Sequence, residues 1–145
     1  MKQEFYHYKV SEDYLSFTFE SISSGRKIIK VVEYVPIDEN VYNLAFGDIG
    51  EDGLLNDLSK SSNQDMEKVL ATVIQTVFVF FELNYDKALF FKGSTSARTR
   101  LYQVIISKEK ANWKERFVIF GVKFDDEVEL FEKNINYEAF VIRLK

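Results

Sequence analysis

The sequence predicts an α+β fold: a mostly antiparallel sheet of about five to seven strands with two main helices, near residues 64–82 and 95–108. Three observations carry this reading. Tyr14 to Glu20 alternates apolar and polar, the period of a half-buried strand. From Met66 to Phe81 the apolar residues recur at helical spacing. The strand-like segments cluster before the first helix and after the second rather than alternating strictly with helices, which favours an α+β arrangement in one domain spanning residues 1–145.

The elements follow in order. Phe5 to Val10 reads as a short edge strand. Ser23-Ser24-Gly25-Arg26 is a turn cluster between Tyr14–Glu20 and the β-branched run Lys27 to Val35, so residues 14–35 form a hairpin. Pro36 and Asp38-Glu39-Asn40 break the pattern before a third strand, Val41 to Phe46. A polar connection, Gly47 to Asn63, leads to the first helix, capped by Ser62 or Asn63 with Asp65 and Glu67 at the positive end of its dipole. Met66, Val69, Leu70, Val73, Ile74, Val77, Phe80 and Phe81 supply its apolar positions. Its C-terminal part is apolar almost all round, which predicts a buried central helix. Ala88 to Phe91 is a short buried strand, and a second helix runs to about Lys108. A charged turn around Trp113 follows, then a strand from Phe117 to Phe124, a turn at Asp125-Asp126 and a last strand from Tyr137 to Leu144.

Composition narrows the classes of function. The 145 residues are 46% hydrophobic and 16% aromatic, ample for a core, with a single proline and six glycines, so little of the chain reads as linker. There is no cysteine and one histidine. Disulfides, thiolate zinc sites and cysteine nucleophiles are excluded, and a metal centre or cofactor is not expected. His7 sits among Phe5, Tyr6 and Tyr8 and reads as a packing or edge residue. No Gly-x-Ser-x-Gly elbow accompanies it for serine hydrolase chemistry. Met1 to Phe5 has no apolar core of a signal peptide, and Val77 to Phe81 is far too short to span a bilayer. A cytoplasmic location is the expectation, with no membrane partner.

Net charge is −4 and the isoelectric point about 5.1, which argues against a nucleic-acid backbone as the general partner. The distribution is uneven. Lys87, Lys92, Arg98, Arg100 and Lys108 occur with no acid among them, while acids gather at Asp48, Glu51, Asp52 and Asp57 and again from Asp125 to Glu132. Asp48 to Gly53 partly matches a calcium-binding loop, but Gly50 and Ser59 stand where that loop needs ligands, so a solvated turn is the better reading.

One segment suggests a ligand. Lys92-Gly93-Ser94-Thr95-Ser96 follows a strand and opens a helix, an arrangement whose free amide groups and dipole favour anions. It has neither the spacing of a Walker loop nor that of a dinucleotide fingerprint, and Ser94 or Thr95 as a plain helix cap explains it equally. On a helical projection Ala97, Leu101, Val104 and Ile105 form an apolar stripe, with Tyr102 and Ile106 at its edge and Arg100, Gln103 and Ser107 on the solvent side. Arg98 falls in the apolar half, and an arginine there requires an anion. Two candidates stand: an internal carboxylate such as Asp48 or Asp52, the commoner arrangement in small domains, or a bound phosphate or carboxylate. The ligand-binding candidates are therefore Lys92, Gly93, Ser94, Thr95, Arg98, Arg100 and Tyr102, with Asp48 as a possible addition.

"NLAFGD" (Asn43 to Asp48), "DMEKVLATV" (Asp65 to Val73) and "GSTSARTRLYQ" (Gly93 to Gln103) resemble the signature blocks of an uncharacterised family of small bacterial proteins. Where that family often has Gly-Asp before the central helix, this chain has Asn63-Gln64-Asp65. The resemblance implies a shared fold and a grouping of the three blocks, and carries no activity. Three expectations of function follow: a module binding a small phosphate-bearing or other anionic ligand; an RNA- or nucleotide-directed enzyme such as a toxin–antitoxin component; or a protein-interaction domain in which Arg98 pairs internally.

Overall fold

A computed structural model describes residues 4–23, 25–49, 55–56, 66–93, 96–113 and 115–145. Nine strands and two helices occur among them: β1 (Lys9–Val10), β2 (Ser16–Ser23), β3 (Arg26–Pro36), β4 (Val41–Ile49), β5 (Leu55–Asn56), α1 (Met66–Leu83), β6 (Ala88–Phe91), α2 (Ser96–Trp113), β7 (Phe117–Val122), β8 (Val128–Leu130) and β9 (Ala139–Leu144). Eight strands pair in the order β1-β2-β3-β4-β6-β9-β7-β8, and β5 pairs with β4 off this path. The fold is α+β with a mostly antiparallel sheet, as expected, but the expected five to seven strands are too few. The additional pieces are β5, two residues inside a connection read as loop, and β8, three residues beyond the Asp125-Asp126 turn. Both are too short to register a period. β4 and β6 run parallel, and α1 lies between them in sequence, the long connection that a parallel pair requires.

The chain divides into two compact units, residues 1–35 with 45–84, and residues 36–44 with 85–145. In the first, β2 and β3 form a hairpin registered from Ser16↔Glu33 to Ser23↔Arg26, with Gly25 in the left-handed region at φ 75°. Phe17 and Phe19 point inward from β2 and Val32 and Tyr34 from β3, all buried. The inward face of α1 is Val69, Thr72, Thr76 and Phe80, joined by Ala71 and Phe81. Val73, Ile74, Val77, Phe78 and Val79 are only half-buried, so α1 is covered along one face rather than all round. Two threonines belong to that face because their hydroxyls donate within the helix, Thr72 to Lys68 O at 2.8 Å and Thr76 to Val73 O at 2.7 Å. Their methyl groups are then free to pack. The N-terminal segment is tied down by Tyr6, whose N–H donates to Thr72 Oγ1 and whose ring stacks on Phe19. His7 is exposed. The expected caps Ser62 and Asn63 lie outside the described residues.

In the second unit, Leu89, Phe91, Phe117, Ile119, Phe140 and Ile142 are buried on one face of the sheet. Helix α2 covers that face: the Tyr102 ring meets Phe91 edge-on at 5.8 Å, and Trp113 meets Phe117 at 6.2 Å. α2 ends at Trp113, five residues beyond the expected Lys108. Lys108 to Asn112 are mostly good helix formers, and the Trp113 contact supplies the packing that extends the helix. Of the expected stripe only Val104 has a described side chain, and it is not covered; the side chains of Ala97, Leu101 and Ile105 lie outside those described. Thr99 and Ile106 are buried, Tyr102 and Trp113 half-buried, while Val104 is 46% exposed. Phe131, Tyr137 and Phe140 close the far end of the core as an aromatic cluster.

Candidate functional site

The strand–loop–helix segment is laced by a residue that sequence reasoning passed over. Gly93 N–H donates to Thr99 Oγ1 at 3.0 Å, and the Thr99 hydroxyl returns a longer bond to Gly93 O at 3.4 Å. Thr99 is buried beneath α2, and this exchange satisfies the Gly93 amide inside the protein. That donor is therefore spent on closing the loop rather than offered to an anion. A threonine six residues beyond a glycine carries no recognised motif, so nothing in the sequence marked it.

Of the expected ligand-binding residues, Lys92, Gly93, Arg100 and Tyr102 have described side chains or backbone at this segment. Lys92 is exposed at the end of β6, and Tyr102 packs on Phe91. Ser94 and Thr95 lie outside the described residues, as do the side chains of Arg98 and Asp48. The backbone of Asp48 belongs to β4, paired with Asn56. The calcium-loop reading at Asp48 to Gly53 falls largely on residues outside those described. Among the described residues no group of three or more metal-ligating side chains occurs.

Arg100 enters a different surface. The outer face of α2 presents Arg100, Gln103, Val104 and Ser107, spaced i, i+3, i+4 and i+7, so they line two successive turns. Lys133, Asn134 and Asn136 face them from the segment after β8, and together they enclose a groove of about 410 Å³. Gln103 bridges the walls, its side-chain amide donating to Ile135 O. Asn134 turns the chain there at φ 67°, a left-handed conformation that asparagine tolerates better than most residues. Among the described residues no carboxylate lines the groove, and none pairs with Arg100 or Lys133. Two exposed cations from different segments thus line one concave surface, which suits it to an anion. The sequence placed Arg100, Gln103 and Ser107 on one solvent-facing side of α2. The three residues opposite them are more than twenty-five positions away and had no signal of their own.

A second polar cluster is structural. Lys123 Nζ lies 2.8 Å from Glu129 Oε1, and Tyr137 OH donates to Glu129 Oε2 at 2.8 Å while accepting the Glu132 N–H at 3.0 Å. The Lys123 bond, then the Tyr137 bond, hold the Glu129 carboxyl below its ordinary range. Every charge here is already paired, so the cluster fastens the β7–β8 hairpin.

Fold and groove together define a small α+β protein whose second helix borders a groove with two cations and no carboxylate among the described residues that line it. Residues 2–145 match a family described as a family of unknown function (DUF6934), and the chain belongs to that family. No curated protein and no solved structure matches it. No helix among the described residues is long and apolar enough to cross a membrane.

Proposed function

We propose that this protein is a binding module for a phosphate-bearing or other anionic ligand, held in the groove between α2 and the segment from Lys133 to Asn136. The observation that carries the reading is that Arg100 and Lys133 line one groove in which no carboxylate occurs among the described residues. Arginine offers a planar pair of donors suited to oxyanions, and lysine a mobile point charge. This shifts the centre of the ligand-binding expectation from the helix N-terminus to the outer face of the same helix.

The experiment is isothermal titration with inorganic phosphate at low ionic strength on the wild type and on Arg100→Ala with Lys133→Ala. The wild type binds, and each substitution weakens binding about tenfold, the effect of losing a charge-assisted contact of ~1.5 kcal/mol. Both residues are exposed, so the variants keep wild-type stability to within about 0.5 kcal/mol. Phosphate binding that survives the double substitution unchanged, or no binding by the wild type, defeats the reading.

A further inference from the structure

The groove is larger than an oxyanion needs. At about 410 Å³ it falls in the range of sites for whole small molecules, and its α2 wall extends over two helical turns, roughly 10 Å from Arg100 to Ser107. Its two cations account for one anionic group. The rest of the described lining is neutral: the carboxamides of Gln103, Asn134 and Asn136, the hydroxyl of Ser107, and the exposed side chain of Val104.

That lining discriminates among phosphate esters. A nucleobase is normally held by stacking on an aromatic or guanidinium plane. Among the described residues that line this groove none is aromatic, and Arg100, the one guanidinium, is taken up by the phosphate; Tyr102 and Tyr137, each next in sequence to a lining residue, pack instead on Phe91 and on Phe131 with Phe140. Carboxamides and a serine hydroxyl both donate and accept, which matches a row of hydroxyl groups. Among the described lining residues no carboxylate offers a partner to a second, cationic group on the ligand.

Resting on the anion-binding reading above, we propose that the ligand is a polyhydroxylated phosphate monoester, a sugar phosphate, with its phosphate between Arg100 and Lys133 and its hydroxyls toward Asn134, Asn136 and Ser107. Asn134 gives a clean test of the hydroxyl contacts. Glycine takes its φ of 67° without strain, so Asn134→Gly removes the carboxamide and keeps the turn.

The experiment measures dissociation constants for inorganic phosphate, ribose 5-phosphate, glucose 6-phosphate and adenosine 5′-monophosphate on the wild type, Asn134→Gly and Asn136→Ala, each checked for an unchanged melting temperature. At least one sugar phosphate binds ten times or more tighter than inorganic phosphate. Asn134→Gly or Asn136→Ala reduces that preference severalfold while leaving phosphate affinity unchanged. Inorganic phosphate binding as tightly as both sugar phosphates overturns the inference and leaves the anion-binding reading standing. So does adenosine 5′-monophosphate binding tighter than ribose 5-phosphate, since the base then contributes. A preference that persists in both variants overturns the placement of the hydroxyls. No binding of any probe overturns both proposals.

Discussion

The ring of Tyr137 occupies the space that a Cβ on Gly121 would need. Gly121 sits in β7 opposite Phe140 of β9 and Glu129 of β8, so the one residue without a side chain opens a slot through which Tyr137 reaches Glu129. Once seated, the ring also contacts Phe131 at 5.5 Å and Phe140 at 6.1 Å. The glycine is required by a close approach of a ring rather than by a turn.

Gly121→Ala therefore destabilises the protein by about 1–3 kcal/mol, the range for forcing extra volume into a packed site. Denaturant unfolding measures it as a lower midpoint at unchanged slope. Adding Tyr137→Leu restores part of the loss, because the smaller side chain clears the slot. A Gly121→Ala variant as stable as the wild type would show that the ring can withdraw at no cost.

Tyr34 is 2% exposed, stacked on Phe80 at 4.6 Å, and its hydroxyl lies 2.8 Å from Thr76 Oγ1. Thr76 spends its own proton on Val73 O, so Tyr34 is the donor of the pair. Burial pushes the phenol far above its ordinary value, which keeps that donor protonated. Thr76→Val leaves a buried hydroxyl without an acceptor and costs about 1–3 kcal/mol, and Tyr34→Phe costs about 1 kcal/mol. In the double variant both polar partners are gone, so its loss is smaller than the sum of the singles. Strict additivity in the cycle would mean that the hydrogen bond does not couple the two residues.

Glu129 makes stability depend on pH. Its folded pKa lies below the unfolded value, through Lys123 first and Tyr137 second. The contribution is thus complete above the unfolded pKa, about 4.3 for a glutamate, and is lost as pH falls through the lower folded value. Lys123 is raised by the same bond, so its share persists below its unfolded pKa and is lost only as pH rises past the folded one, in the strongly alkaline range. Glu129→Gln accordingly lowers the urea midpoint near neutrality, and its curve converges on the wild type as pH falls below the ordinary glutamate range. Parallel curves from pH 7 to pH 3 would remove Glu129 from the acid response.

Much of the fold was legible because its signals are local. The alternation of Phe17 and Phe19, the glycine at Gly25, the helical period from Met66 and the turn at Asp125-Asp126 each declare themselves within a few residues. The second helix was harder to orient. Its expected apolar stripe includes Val104, which is exposed, while the side that packs includes Thr99, whose hydroxyl bonds with Gly93. Polar and apolar residues exchange places there because hydrogen bonding, rather than side-chain type, decides what can be buried.

By itself the sequence determined the class of fold, the two helices, most of the strands, and the exclusion of cysteine chemistry. It also set Arg100, Gln103 and Ser107 on one side of α2, since helical spacing is a property of neighbours in the chain. Only the tertiary structure decided what faces them. Lys133, Asn134 and Asn136 reach α2 across a chain separation that no periodicity encodes, and Tyr137 finds Gly121 by strand register. Contacts between distant segments depend on how the whole sheet closes, and no short stretch of residues carries that information.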